Sequence, residues 1–273
     1  MAKRKRRIPR TKFPNAAAVS YERALVKMIE ELGKEALHLF DQHVVPDLMR
    51  SDAAQFRNDF IFGGIKKMLN ALKRAANQIF HRPHTTSSQR TSTTRAERAA
   101  EEFVNNVERT SKVNLDKQVK AAGIATVLAE PWLDGFVKKR VKENVGYIKN
   151  LETEAYERIE NVVNEHISNN SAPKTIRDAI KEQTDISKSR AKFLAVDQSG
   201  SIFGQINAER HQRMGLEKFK WDTSGDERVR DTHRALDGQV FAYAEPPTVG
   251  SRVVLPGEDY RCRCVAIPVF DDD

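Results

Sequence analysis

The stretch WLDGFVKKRVKENVGYIKNLETEAYERIENVVNEHI, residues 132–167, decides the fold of this chain. Its apolar side chains return every three or four residues for about ten helical turns, and from Phe136 onward Gly146 is the only glycine or proline. The apolar positions are Phe136, Val137, Val141, Val145, Ile148, Ala155, Ile159, Val162 and Ile167. The pattern predicts one long helix that packs either against other helices of this chain or against the equivalent helix of a partner protein.

Helical patterns also occupy the chain before this stretch. One begins after Ser20, a suitable N-cap, and stops at Pro46. A second runs from Phe56 to Leu72, and a third resumes near Arg95. The first pattern places these side chains on one face: Leu25, Ile29, Leu32, Ala36 and Phe40.

Two more helices are expected after the long one. Pro173 suits the first turn of a short helix that carries Ile176 and Ile180. A separate helix fits Lys188 to Arg213, and Gly215 is placed to end it. The first 215 residues are therefore predicted to be predominantly α-helical.

The pattern changes at Leu216, where short β-prone segments begin to alternate with turn signals. The segments are Phe219 to Thr223, Gln239 to Tyr243, Arg252 to Leu255 and Arg261 to Phe270. Asp237-Gly238 predicts a two-residue hairpin, whose central residues both require positive φ. The fold class is accordingly α+β, a predominantly helical N-terminal body with a small β-rich C-terminal unit.

Composition and punctuation divide the chain into five segments. The stretch HTTSSQRTSTTR has eight Ser or Thr in twelve residues and no large apolar side chain, which is typical of a flexible linker. In order, we expect a basic flexible arm (1–14), a helical segment (15–83), a Ser/Thr-rich linker (84–95), a long-helix region (96–170) and a C-terminal domain (171–273).

The net charge of +8 is unevenly distributed along the chain. Residues 1–12 contain seven basic side chains and no acid, and residues 66–98 contain eight basic side chains and one acid. Such a cationic arm binds double-stranded DNA without reading its sequence, by releasing counterions. A solvated tail and a nuclear-import signal are the alternatives. The nucleic-acid-binding candidates are Lys3, Arg4, Lys5, Arg6, Arg7, Arg10 and Lys12.

Composition excludes several classes of protein. With 39% hydrophobic and 31% charged residues, the chain can bury a core, but no apolar run reaches the length of a membrane helix. The basic start is not followed by an apolar segment, so a secretory signal is not indicated. Two cysteines cannot form a disulfide framework, which favours a reducing compartment.

The candidate metal ligands are Cys262, Cys264 and His233. In a strand, the two cysteines of a C-x-C pair point to the same side, where both thiolates could share a zinc ion with His233 and a carboxylate such as Asp231. Two other interpretations remain open: buried cysteines with a structural histidine, and a cysteine nucleophile activated by His233. An HNH-like nuclease would need a second histidine that the segment lacks.

Acids and arginines alternate from Asp222 to Arg234. Because a guanidinium offers five donors in a fixed fork, Arg228 and Arg230 could pin a loop through Asp222, Asp226 or a backbone carbonyl. We favour this structural role over catalysis.

The same region resembles a known family. The run SKSRAKFLAVDQSGSIFGQINAERHQRMGLEKFKWDTSGDERVRDTHRALDGQVF, then PP and LPGEDYRCRC, is similar to the bacteriophage Mu F-like minor head proteins, also called phage head-morphogenesis proteins. The resemblance covers about residues 175–268, and the order and spacing of its features carry it. The matching positions, expected to be structural, are Trp221, Asp226, Arg228, Arg230, His233, Gly238, Cys262 and Cys264.

The resemblance implies a virion protein of few copies, made in the host cytoplasm and incorporated inside the capsid near the portal. Portal, capsid or scaffold subunits and packaged double-stranded DNA are the implied partners, with no membrane and no small-molecule substrate. Members of the family are not generally enzymes, so no catalytic residue and no cofactor carries over. A zinc-dependent nuclease or hydrolase built on the C-terminal unit is the alternative function.

Overall fold

The computed structural model describes residues 8–49, 57–84, 93–124 and 129–270. The arm candidates Lys3, Arg4, Lys5, Arg6 and Arg7 lie outside the described residues, as does most of the 84–95 linker.

Seven helices and seven short strands make up the described part of the chain. The helices are α1 (Asn15–His43), α2 (Val45–Met49), α3 (Arg57–His81), α4 (Arg95–Ala122), α5 (Leu133–Ser168), α6 (Pro173–Arg213) and α7 (Asp231–Arg234). The strands are β1 (Pro83–His84), β2 (Thr93–Thr94), β3 (Lys218–Asp222), β4 (Val240–Ala242), β5 (Thr248–Val249), β6 (Arg252–Val253) and β7 (Val265–Pro268). The predicted α+β class is confirmed, with a helical body and a small β-rich C-terminal unit.

The structure divides into two compact units, and the division falls within four of the helices. The first unit comprises residues 1–21, 101–141 and 193–273. The second comprises residues 22–100 and 142–192.

The described residues of the second unit are mostly helical, with the two-residue β1–β2 pair beside the helices, and α5 contributes a long apolar stripe. Within this unit the buried side chains of α5 step by three or four residues, from Ile148 to Ile167. The neighbours are helices of the same chain, since Tyr156 donates a hydrogen bond to the Leu69 carbonyl of α3 and Arg190 of α6 pairs with Glu154. The stripe therefore packs within the chain, which is the first of the two arrangements that its pattern predicts.

A capping box starts α4. Thr94 Oγ1 accepts a hydrogen bond from the backbone N–H of Glu97 at 3.2 Å, and Glu97 Oε2 accepts one from the backbone N–H of Thr94 at 2.7 Å. Arg95 adds a two-pronged ion pair with Glu31 of α1. These contacts explain why the helix begins at Arg95, as its pattern predicts.

The prediction of two separate helices between Pro173 and Arg213 is wrong, because one continuous helix, α6, spans the whole stretch. The polar segment between them contains no proline or glycine. Its hydroxyls are satisfied along the helix, since Thr184, Ser187 and Ser189 each donate to the carbonyl four residues earlier.

In the first unit, a three-stranded antiparallel sheet of order β4–β3–β7 holds the C-terminal core. Phe219 pairs with Phe241 on one side and with Pro268 on the other. Strand alternation turns Phe219 and Trp221 inward, and both side chains are fully buried. The cluster around them consists of Ala208, Tyr243, Val254, Cys262, Cys264 and Ala266.

The predicted Asp237-Gly238 hairpin is wrong, although β3 and β4 do pair. The connection between them is long and contains α7, and of the two turn residues Gly238 has positive φ, at 76°, whereas Asp237 does not. The Asp237 carboxylate instead accepts hydrogen bonds from the backbone N–H and hydroxyl of Thr223. The carboxylate thus closes a wide loop rather than a tight turn.

Residues 8–14, expected to be part of a flexible arm, lie along the C-terminal sheet. Arg10 Nη2 and Nε donate to the two carboxylate oxygens of Asp222 at 2.8 and 3.0 Å, and Thr11 Oγ1 donates to the Ala266 carbonyl of β7. Lys12 exchanges two backbone hydrogen bonds with the Asn114 side chain, while its own side chain is exposed. Paired hydrogen bonds with the sheet and α4 therefore fix this part of the arm.

Among the described residues, no helix combines the length and apolar character needed to cross a membrane.

His211 of α6 lies fully enclosed in the first unit. Its Nδ1 contacts the hydroxyl of Tyr243, and burial, followed by the nearby positive charge of Arg210, lowers the pKa of His211 to about 3. Arg210 is itself buried between Glu108 and Glu130, which bind its guanidinium. The imidazole therefore stays neutral in the folded chain.

This neutral histidine predicts a loss of stability in mild acid. The unfolded chain takes up a proton at His211 below a pH of about 6.5 while the folded chain does not, so the free energy of unfolding falls as the pH falls from 6.5 toward 3. His211 should lower the free energy of unfolding by about 1.4 kcal/mol for each pH unit below the pKa of the unfolded group. Urea unfolding at several pH values measures it.

The matched variant is His211→Gln, which keeps a polar partner for Tyr243 but cannot titrate. Its free energy of unfolding is expected to depend less steeply on pH than that of the natural chain between pH 6 and 4. Identical slopes for the two proteins would contradict the assignment.

Candidate metal centre

Three buried side chains converge in the first unit: His233, Cys262 and Cys264. The sulfur of Cys262 lies 3.4 Å from Nδ1 of His233, and the sulfur of Cys264 lies 3.5 Å from the same atom. The three side-chain donor atoms all lie within 4.8 Å of one another. The structure thus brings together the three residues selected from the sequence as metal ligands.

The three side chains come from two different parts of the C-terminal unit. His233 belongs to α7, in the loop between β3 and β4, and the cysteines lie in the loop that precedes β7. The strand predicted to begin at Arg261 begins only at Val265, because Arg261 has a φ of 50° and Cys262 N–H bonds back to the Asp259 carbonyl. The cysteines therefore lie in the connection before β7 rather than within the strand.

Two glycines of α6 allow the cysteine loop to approach the helix. A Cβ placed on Gly200 would lie 2.5 Å from the carbonyl oxygen of Cys262 and 2.6 Å from that of Gly257. A Cβ on Gly204 would collide with the Pro256 carbonyl in the same way. These are backbone atoms, which cannot move aside without shifting the loop.

A carboxylate orients the histidine from its other side. Asp259 Oδ2 lies 3.1 Å from Nε2 of His233. Arg230 Nη1 donates to the same oxygen at 2.8 Å, and Arg252 Nη1 lies 3.4 Å from Oδ1. In the neutral tautomer that carries its proton on Nε2, His233 donates a hydrogen bond to Asp259. The lone pair of Nδ1 then faces the two sulfurs.

The cluster favours one thiolate. The hydrogen bond from Cys264 to Cys262 lowers the pKa of Cys262, and the His233 ring lowers it further, against the opposing effect of burial. The pKa of Cys264 is raised, first because Cys264 donates to the Cys262 sulfur and then because of burial. The pKa of His233 is raised, chiefly by the Cys262 sulfur. The cysteines can therefore share a single proton beside an imidazole.

Trp221 covers the cluster from the sheet side. Its ring meets the His233 ring edge to face, with centroids 5.6 Å apart and an interplanar angle of 80°. The side chain is fully buried in the core that also contains both cysteines. This family-motif residue therefore excludes water from one side of the cluster.

The charged motif residues Asp226, Arg228 and Arg230 form ion pairs around the cluster. Asp226 bridges Arg228 and Arg263 at 3.2 and 2.5 Å, and Arg263, followed by Arg228, lowers the pKa of Asp226 to about 2. Arg230 also donates to the Tyr260 carbonyl. The predicted loop-pinning role of Arg228 and Arg230 is confirmed for Asp226 and a backbone carbonyl. Asp222 pairs instead with Arg10.

Two findings differ from the sequence expectation for the metal ligands. Asp231 is fully exposed and points toward Arg234, so this carboxylate does not belong to the cluster. Asp259 touches His233 instead, a residue that sequence reasoning did not select although it stands three positions before Cys262. Sequence reasoning also missed two residues of α6. Gly200 lies against the carbonyls of the cysteine loop, and the Asp197 carboxylate accepts a hydrogen bond from the Arg261 N–H.

Comparisons with known proteins agree with the resemblance. Residues 157–267 match the family described as Phage Mu protein F like protein. An uncharacterized protein of Haemophilus influenzae is 36% identical over 130 residues, covering 48% of this chain and 28% of that protein. The uncharacterized protein MJ0329 of Methanocaldococcus jannaschii is 34% identical over 91 residues, covering 33% of this chain and 14% of that protein.

A third relative carries a functional name. NAD(+)--arginine ADP-ribosyltransferase EFV of Enterococcus faecalis is 32% identical over 103 residues, covering 34% of this chain and 21% of that protein. The chain thus spans less than a third of the length of each of these relatives. No solved structure is significantly similar to the chain.

The contact between α6 and the cysteine loop predicts opposite effects of alanine at two helical glycines. Gly200→Ala forces a methyl group into backbone carbonyls and should lower the free energy of unfolding by about 1–3 kcal/mol. Gly146→Ala, in the interior of α5, meets no atom within 4 Å and should raise it by about 0.5–1 kcal/mol. Urea denaturation of both variants measures the contrast. Stabilisation by Gly200→Ala would contradict the close approach.

Proposed function

Because residues 157–267 match the family described as Phage Mu protein F like protein, we propose that the protein is a minor head protein that acts in phage head morphogenesis. The family match carries the proposal. We expect the protein to lie inside the capsid and to be present in few copies. Its helical body would dock on portal, capsid or scaffold subunits. The shared C-terminal unit supplies a folded anchor for that role.

The polar residues of the C-terminal unit support a structural rather than an enzymatic role. Asp226 ties two arginines together, and Asp259 ties Arg230 to the buried His233. These side chains use their hydrogen-bonding capacity on loops of the same unit, as a rigid docking module requires. The transferase name belongs to a relative of which this chain covers 21%, so it does not define the role of this chain.

Non-specific contact with double-stranded DNA is the second part of the proposal. Arg10 is committed to Asp222, which leaves Lys12 and residues 3–7 as the cations of the arm. The solvent side of α3 adds a second basic surface, because its exposed basic residues recur after seven positions and so lie on one face. These residues are Lys66, Lys67, Lys73 and Arg74. No acid lies in α3 after Asp59.

The salt dependence of DNA binding tests the arm. Replacing Lys3, Arg4, Lys5, Arg6 and Arg7 with Gln should weaken binding and reduce the slope of log K against log salt by up to about 4.5, because each phosphate contact contributes about 0.9. The matched control is Arg10→Gln, which removes a cation that already pairs with Asp222 and should leave the slope unchanged. Electrophoretic mobility shifts on duplex DNA of unrelated sequences, across salt, measure both.

A parallel variant, Lys66→Gln with Lys67→Gln, Lys73→Gln and Arg74→Gln, tests the α3 surface. Unchanged affinity and slope for both multiple variants would refute the DNA-contact proposal. Cross-linking in assembled virions tests the docking proposal separately, and it should join this protein to portal or capsid subunits. DNA cleavage by the natural chain that Cys262→Ser abolishes would overturn the non-enzymatic assignment.

A further inference from the structure

We propose that His233, Cys262 and Cys264 bind one zinc ion, through Nδ1 of the imidazole and the two sulfur atoms. The inference rests on the geometry of this cluster and stands whether or not the protein acts in a phage head.

The distances fit a shared metal. With a zinc–sulfur distance of about 2.3 Å and a zinc–nitrogen distance of about 2.0 Å, a tetrahedral site places nitrogen and sulfur about 3.5 Å apart. The two sulfurs lie 3.4 and 3.5 Å from Nδ1. A metal at the common centre would therefore require little movement of the side chains.

The donor set selects the class of ion. Two thiolates and one imidazole are soft to intermediate ligands, which suit zinc and disfavour calcium and magnesium. The carboxylates expected of a hard-cation site are engaged elsewhere, because Asp259 holds His233 and Asp226 holds two arginines. The donor set therefore favours zinc over the hard cations, and zinc is the ion that we propose.

The surroundings match those of a histidine ligand in a metal site. Asp259 accepts from Nε2 of His233, which leaves Nδ1 as the coordinating atom and fixes the plane of the ring. Arg230 and Arg252 in turn hold Asp259, and Asp197 fixes the backbone of the cysteine loop by accepting the Arg261 N–H. Asp259 is therefore a positioning residue that acts through His233.

The fourth position of the ion faces a cleft. His233, Cys262 and Cys264 line this cleft together with Ser224, Arg228 and Arg263. Among the residues that the structure describes, no carboxylate joins the three donors in one cluster, so a bound ion would take its fourth ligand from solvent. The ion would join α7 to the loop before β7, two pieces of a small unit with little other secondary structure.

Metal analysis of the full chain tests the proposal directly. Protein purified under reducing conditions without chelator should contain about one equivalent of zinc, as expected for one site. After removal of the zinc, added Co²⁺ should produce the near-ultraviolet thiolate charge-transfer band and the visible bands of a tetrahedral ion. Cys262→Ser, Cys264→Ser and His233→Gln should each lose bound zinc and weaken these bands.

Two further variants separate ligation from folding. Asp226→Asn removes a nearby carboxylate that touches none of the three donors, and its zinc content should equal that of the natural chain. Asp259→Asn should keep the cobalt spectrum but bind zinc about 10–100-fold more weakly, as loss of an orienting partner does.

The zinc content of the unaltered chain is the decisive measurement, because it does not depend on whether any variant folds. Less than about a tenth of an equivalent of zinc, with no cobalt–thiolate band and both thiols reduced, would overturn the proposal of one bound ion.

Discussion

The close approach of the cysteine loop to α6 is the constraint on which the C-terminal unit depends. Gly200 and Gly204 let loop carbonyls come within reach of the helix backbone, where any side chain would intervene. The loop can then turn at Arg261 and present two cysteines to a histidine that arrives from another connection. Strand β7 starts at Val265, shortly after this turn, and pairs with β3. The same loop therefore positions both the cysteines and the last strand of the sheet.

Ion pairs serve chiefly to organise irregular backbone in this unit. Each of three carboxylates joins segments far apart in sequence: Asp222 takes Arg10, Asp226 takes Arg263, and Asp259 takes Arg230. Several are partly exposed, where an isolated pair adds little stability, but each joins two segments that local backbone hydrogen bonds do not connect. This internal pairing also distinguishes structural cations such as Arg10 from cations whose side chains stay exposed, such as Lys12.

The sequence predicted helix faces better than helix ends, because a helix face is a local property: α1 begins at Asn15 rather than after Ser20. The predicted apolar steps in α1 are buried in the structure, whereas in α5 the burial is confined to the part from Asn144 onward. Thr94 with Glu97 marks the start of α4 through contacts three residues apart. Errors arose where local signals were ambiguous. The polar middle of α6 satisfies its hydroxyls within the helix, and Asp237 serves a wide loop although Asp-Gly favours a tight turn.

By itself, the sequence determined the fold class, the helical periodicity, the basic segments and the three residues His233, Cys262 and Cys264 as a candidate set. Only the tertiary structure decided that these three meet, that Asp259 rather than Asp231 contacts His233, and that Arg10 pairs with Asp222 of the sheet. Periodicity and charge depend on neighbours a few positions away. A site assembled from separate loops depends on how the backbone turns between them, which no local pattern specifies.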